Sequence, residues 1–420
     1  MDRRSFIGAA GVVTAAAMLG DWEKLLARGA ADPAVGKTWK GWRKGRFQVH
    51  FIYTGTSESM FIIMPDGTSM LLDCGDHDPA NPLPLLPGPE RRGGEWIARY
   101  VLKVNPRGRD VDYMMLSHYH TDHAGSLGVG LDEVFPDGRT RHLSGFSHAA
   151  EWLDFKHGID RQWPSYDEPF PMTDDKKKCF SHMRAFYDYM TRERGMQMER
   201  FRVGQTGQIA LRHRPDAYRD FNVRNICGNG YVADADGNLI DLYAARKPVS
   251  GRFSENGMSL GLVFTYGAFK FYTAGDFSNE WQDDDGSMFN IEEKLAQVVE
   301  PCQVAKLNHH GFHSMPAALV AALRSRVWVN CVWNTRHTTP DTLERLGDRS
   351  LYPGPRVVCP TLFPSGRTGE APVTDTIAKA AFDGGHMVLD VPRGGRSYSI
   401  SYLSAADESL TVRSVLNFRS

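Results

Sequence analysis

Long apolar runs are scarce in this chain of 420 residues. After residue 20 none is long enough to cross a bilayer as a helix, which excludes a polytopic membrane protein. An excess of one charge is also missing: 49 Lys and Arg face 50 Asp and Glu, a net charge of -1. Proteins that grip nucleic acid are usually clearly basic, so no dedicated nucleic-acid grip is expected. Cysteines number six, widely scattered and without a Cys-x-x-Cys pair. Cys302, Cys331 and Cys359 lie in or beside apolar runs and read as small buried residues. There is no internal repeat, no low-complexity tract and no dinucleotide-binding fingerprint. What remains is ordinary: 41% hydrophobic and 24% charged residues exclude a disordered chain. The length allows one large or two smaller domains with a sizeable core.

The N-terminus reads as an address. Arg3 and Arg4 precede a short apolar run from Phe6 to about Leu19, too short and too rich in Gly and Ala for a spanning helix. The segment resembles a twin-arginine export signal. Residues 1–31 are therefore set apart from the fold, and 40–420 are taken as the mature domain. The resemblance implies the twin-arginine translocation machinery as a partner, a periplasmic or other extracytoplasmic destination, and no stable membrane span after processing. The alternative is a cytoplasmic N-terminal helix.

Strand and helix patterns then alternate, so the class is α/β or α+β. Strands are expected over 47–53, 59–64, 69–73 and 111–117, with a helix over 94–104. From 130 to 250 aromatic and charged residues interleave, and the segment reads as an inserted lid or cap with a helix near 177–196. Strand signals return at 259–266, 269–274, 304–307 and 327–333. Thr339 and Pro340 mark the start of a late helix.

The chemistry is concentrated in Leu116-Ser117-His118-Tyr119-His120-Thr121-Asp122-His123-Ala124-Gly125. Histidine is the commonest transition-metal ligand, and aspartate adds a hard anionic oxygen. On extended backbone His118 and His120 point the same way and can hold one metal. Asp122 and His123, in the turn that follows, can face a second. Packed together without a metal, such groups bury poorly.

The pattern is the HxHxDH motif, and the chain resembles the metallo-β-lactamase superfamily. Leu71-Leu72-Asp73-Cys74-Gly75, Tyr272-Thr273-Ala274-Gly275-Asp276 and Lys306-Leu307-Asn308-His309-His310-Gly311 match the family's other motifs in order. Within it, the chain looks most like the soluble hydrolase domain of DNA-internalisation competence proteins. That likeness rests on Gly55-Thr56-Ser57-Glu58-Ser59-Met60, Glu255-Asn256-Gly257-Met258-Ser259-Leu260, the His-His-Gly run, and His337 before a proline-started helix.

The resemblance implies a four-layer αββα sandwich with an insertion over the active-site edge. It also implies two divalent metal ions, zinc first and manganese as the alternative, held by His118, His120, Asp122, His123, Asp276 and one of His309 and His310. A hydroxide shared by the two metals would be the nucleophile. Asp122 would orient it, Asp73 would brace a ligand histidine from behind, and His337 would donate a proton or contact a phosphate.

One departure from the family stands out. A third histidine usually placed about 20 residues before the bridging aspartate is missing, and Glu255, Asn256 and Ser259 occupy that neighbourhood. His148, His182 or His213 could fold back as a ligand. Otherwise one metal is ligand-poor, completed by water or Asn256. The expected activity is hydrolysis of a phosphodiester in a small-molecule or cell-envelope substrate. The alternatives are a β-lactam or lactone hydrolase and a non-catalytic metal- or ligand-binding module.

Overall fold

The computed structural model describes residues 32–76, 83–169, 171–242, 254–278, 281–282, 288–334, 336–362 and 384–420. The expected export signal at 1–31 and His77 lie outside the described residues, as does the side chain of Trp281. Among the described residues no helix is long and apolar enough to cross a membrane.

Two large sheets face each other. The first has nine strands, in the spatial order Val412–Arg419, Ser397–Leu403, His386–Val391, Phe47–Phe51, Ser59–Ile63, Ser69–Cys74, Asp110–Met115, Asp154–Asp160 and Gln197–Arg200. The second has eight, in the order Leu239–Asp241, Tyr231–Ala233, Phe221–Gly228, Gly261–Tyr266, Phe269–Thr273, Val304–Lys306, Val327–Asn330 and Val357–Pro360.

Strand periodicity explains the layers. Met60 and Ile62 point into the core between the sheets, beside Phe47, Phe264 and Phe271. Their neighbours Phe61 and Ile63 point to the opposite face, where Ile97 and Val101 of helix Gly93–Val104 cover them with Met183 and Tyr187 of helix Cys179–Glu193. The second sheet repeats the scheme. Val327 and Val329 face inward. Trp328 between them faces out, against Ile291, Leu295, Leu319 and Leu346 of three short helices. The result is a four-layer αββα sandwich of mixed α/β class.

Within 130–250, described strands join both main sheets. Asp154–Asp160 pairs in parallel with Asp110–Met115, and Phe221–Gly228 pairs antiparallel with Gly261–Tyr266. The interleaving of aromatic and charged residues is strand alternation in part: Phe155 is buried and Lys156 exposed. Among the described residues of this span, the hairpin of Leu131–Val134 and Thr140–Leu143 forms a separate two-stranded sheet, and half of its strand residues are exposed.

Four strands of each sheet run parallel in sequence: Ser69–Cys74 to Gln197–Arg200 in the first, Phe269–Thr273 to Val357–Pro360 in the second. Their carboxyl ends carry Asp73, His118, Asp276, His310 and Trp333. In α/β sheets this edge is where loops gather side chains into a site.

Candidate metal centre

The first half of the site grows from strand Asp110–Met115. The chain stays extended to His120 and then turns into the single helical turn Thr121–Ala124. Gly75 lets the neighbouring strand end pass beneath that turn, since a Cβ there would sit 1.8 Å from the Asp122 carbonyl oxygen. Asp73, held at a left-handed φ of 60°, accepts hydrogen bonds from the Ser117 amide and hydroxyl, each at 2.7 Å. It also lies 2.8 Å from His123 Nδ1.

These bonds fix the tautomers. Ser117 Oγ gives its proton to Asp73, so at 3.0 Å it accepts from His118 Nδ1. His123 Nδ1 donates to Asp73. Both rings therefore turn an Nε2 lone pair forward, which is how a buried carboxylate behind a histidine prepares it as a ligand. His120 presents its Nδ1, 3.0 Å from His118 Nε2. Glu255 braces the loop between these two histidines. It accepts from the Tyr119 amide at 2.8 Å and is gripped by buried Arg161 at 2.8 and 3.0 Å.

The second half comes from the other sheet. His309 and His310 both have left-handed backbone, at φ of 48° and 52°. Such a conformation costs a non-glycine residue roughly 1–2 kcal/mol. It turns the adjacent rings in different directions. His310 Nδ1 donates to the Cys331 carbonyl at 2.9 Å, which leaves Nε2 facing the first half. His309 turns away, its Nε2 3.2 Å from Asn256 Nδ2.

His123 Nε2, His310 Nε2, Asp122 Oδ2 and Asp276 Oδ2 converge. His310 Nε2 is 3.2 Å from each carboxylate oxygen, and His123 Nε2 is 3.3 Å from His310, 3.3 Å from Asp276 and 3.5 Å from Asp122. A tetrahedral shell with ligand distances of about 2.0–2.1 Å has edges of about 3.3 Å. The donor set therefore fits a divalent ion. The other side is sparser: His118 Nε2 lies 3.8 Å from Asp276 Oδ2 and 3.0 Å from His120. Asp276 Oδ1 is buried without a hydrogen-bond partner, the chemistry of a carboxylate with one oxygen to spare for a second ion.

Electrostatics agree with this grouping. Burial opposes charge on Asp122 and Asp276, but the surrounding histidines outweigh it and hold both carboxyls far below the usual range. Burial likewise opposes charge on His123 and His310, and the carboxylates overcome it and raise both. The positive charge that the carboxylates favour on these rings is charge that a bound cation would supply in its place. His118, pressed by burial and by His123 and His120, stays neutral.

His337 stacks on His310 at 4.7 Å with 12° between the rings, and its Nδ1 is buried without a hydrogen-bond partner. Burial and His310 push its pKa well below the ordinary value. Its ring is therefore neutral near pH 7, able to donate a hydrogen bond but not to act as the protonated acid. Trp333 closes the same wall, its Nε1 3.1 Å from His310 Nε2.

The three candidates for a missing histidine lie elsewhere. His148 neighbours Glu95, His182 bonds the Ser144 carbonyl, and His213 pairs with Asp112. Exposed His313 lies beside Asp341. Thr339 precedes helix Pro340–Gly347 without capping it through its side chain; its hydroxyl instead accepts from the His313 amide.

Two buried residues beside the centre have no role in the motif reading. Glu58 Oε2 is 3.3 Å from His310 Nδ1 and 3.1 Å from Lys306 Nζ. Glu58, His123, Asp276 and His310 each place one donor atom within 4.8 Å of the others. Glu58 approaches His310 from the ring's rear nitrogen, so it backs the ligand. Burial would raise the Glu58 carboxyl, but Lys306 and His310 hold it low; burial would lower Lys306, but Glu58 and Asp276 hold it high. Both are charged.

Residues 53–176 match the family model of the metallo-beta-lactamase superfamily. No curated protein matches the chain. Among solved structures, a mutant of the CmlA beta-hydroxylase is 11% identical over 67% of this chain and 45% of that chain, with a TM-score of 0.34. The matched region spans under half of that protein's length.

Proposed function

We propose that this chain is an exported metal-dependent hydrolase that holds two divalent ions and cleaves a phosphodiester. The observation that carries the reading is the convergence of His123, His310, Asp122 and Asp276 at tetrahedral spacing, with His118 and His120 on the far side of the shared Asp276. The chemistry supplied by divalent ions held there is acidification of water and stabilisation of charge on the reacting oxygens. Asp122, whose side chain is 16% exposed, is the ligand carboxylate open to an incoming water and can orient it. Neutral His337 offers a hydrogen bond to a substrate oxygen. Trp333 lines one wall and restricts solvent. No side chain is needed as a nucleophile.

The preference for a phosphodiester is supported by the likeness of the Gly55–Met60 and Glu255–Leu260 segments and the His-His-Gly run to the competence-protein hydrolase domain. Export is supported by the twin arginines ahead of the short apolar run, and an extracytoplasmic substrate follows from it. The test is to purify the mature chain without added metal, count its metals by mass spectrometry, and assay bis(p-nitrophenyl) phosphate beside a chromogenic β-lactam. About two metals per chain, with phosphodiester turnover lost in His120→Ala, is the expected result. Turnover of the lactam alone would overturn the substrate. Near-empty sites that zinc or manganese cannot activate would point to a binding module.

A further inference from the structure

Lys306 is fully buried, and its ammonium donates to two carbonyls and pairs with one carboxylate. Its Nζ lies 3.1 Å from Glu58 Oε2, 3.0 Å from the Gly275 carbonyl and 3.0 Å from the Leu307 carbonyl. Each acceptor belongs to a segment that carries a metal donor. Gly275 immediately precedes Asp276. Leu307 opens the turn to His310. Glu58 is bound through its backbone to the loop of the first sheet, its amide donating to the Asp122 carbonyl at 3.0 Å and its carbonyl accepting from Gly75 at 3.2 Å.

A buried lysine beside a cation site is electrostatically adverse, and a buried ion pair seldom stabilises a fold better than apolar residues would. Glu58 cancels the charge, but cancellation does not explain why the pair is there. The three-way bonding does: no apolar side chain could hold two carbonyls and a carboxylate at one point.

We propose that Lys306 is a positioning residue, an internal cation that locks the loops bearing Asp122, Asp276 and His310 to one another behind the metal centre. This rests on the metal-binding part of the proposed function and not on its substrate.

The test uses the full mature chain stripped of metal and titrated with cobalt(II), whose visible absorption reports the geometry of its ligands. Lys306→Met should keep the near-ultraviolet circular dichroism of the folded apo chain. It should bind cobalt at least tenfold more weakly, with an altered visible band. Glu58→Gln/Lys306→Met removes both charges and leaves no unpaired ion. It should bind as weakly as the single variant, because the two carbonyls remain untied. Glu58→Gln alone keeps an oxygen for the ammonium and should weaken cobalt binding less than either Lys306 variant.

Cobalt affinity within threefold of the parent in the double variant would show that Lys306 only neutralises Glu58, and would overturn the proposal. Loss of the folded spectrum in both Lys306 variants would overturn it too, making Lys306 a residue of the core. A parent chain that takes up no cobalt would overturn both this proposal and the metal reading. A parent that binds cobalt but cleaves no phosphodiester would sink the substrate alone, with the Lys306 comparison still deciding.

Discussion

On the His310 side of the centre, Asp122, Asp276 and the two rings stand 3.2–3.5 Å apart at every contact that involves His123 or His310, and the rings are fixed from behind by Asp73 and by the Cys331 carbonyl. On the His118–His120 side, two imidazoles and the shared Asp276 stand without a third histidine, 3.0 and 3.8 Å apart. The first arrangement is a closed shell and the second an open one. In metal enzymes closed shells retain ions and open ones leave positions for water or substrate. The difference teaches that counting ligands in a motif is not enough. Two positions drawn from one motif can hold an ion with very different strength.

The largest break in this contrast is Asp276→Ala, which removes the donor common to both sides. Metal content should fall from about two per chain to almost none. Turnover should drop by several kcal/mol of transition-state stabilisation, roughly 1000-fold or more.

Next come paired variants that separate the sides. His310→Ala should lose the ion that survives dialysis, whereas His118→Ala should keep that ion and lose only the one removed by mild chelation. Equal retention in the two, measured by mass spectrometry, would abolish the distinction.

A smaller effect is expected from Asp73→Asn. It cannot accept from Ser117 and His123 together as the carboxylate does, and should weaken metal binding by about 10–100-fold, chiefly on the closed side. Calorimetric titration of the apo chain reads this directly.

The smallest effect on activity, though not on stability, concerns the supports. Glu255 and Arg161 brace the open side. Behind His310, Glu292 Oε1 accepts from Asn308 Nδ2 at 2.9 Å and from the Met315 amide at 3.0 Å. Burial raises the Glu292 carboxyl from 4.5 to about 8. The folded chain then keeps a proton that the unfolded chain has lost, so the contribution of Glu292 to stability is fully present below pH 4.5 and is lost as pH rises toward 8. The decline is about 1.4 kcal/mol per pH unit within that window. Glu292→Gln preserves the accepting oxygen and should flatten the decline, as denaturant midpoints at several pH values would show.

Much of the closed side was legible in the sequence, because its donors lie in short motifs at strand ends. Asp73, His123 and Asp276 each follow an apolar run that period-two reading locates. The adjacent histidines were not separable. Left-handed backbone at both 309 and 310 cancels the alternation that would have assigned one ring inward.

Glu58 and Lys306 stayed hidden for a different reason. Their meaning is a contact between two sheets, and nothing local announces it. Within 130–250, strands find partners in both sheets, Asp154–Asp160 beside Asp110–Met115 and Phe221–Gly228 beside Gly261–Tyr266. Pattern reveals that a strand exists but not where it docks.

The donors are divided between the two faces of the sandwich: Asp122 and His123 follow a strand of the nine-stranded sheet, Asp276 and His310 follow strands of the eight-stranded one. No half of the molecule owns the centre. An ion bound there engages only the docked state, so by mass action it adds about 2.7 kcal/mol to docking when free metal is 100 times its dissociation constant. The supply of metal would then be a mechanical variable, setting how tightly the sandwich is clamped at that edge.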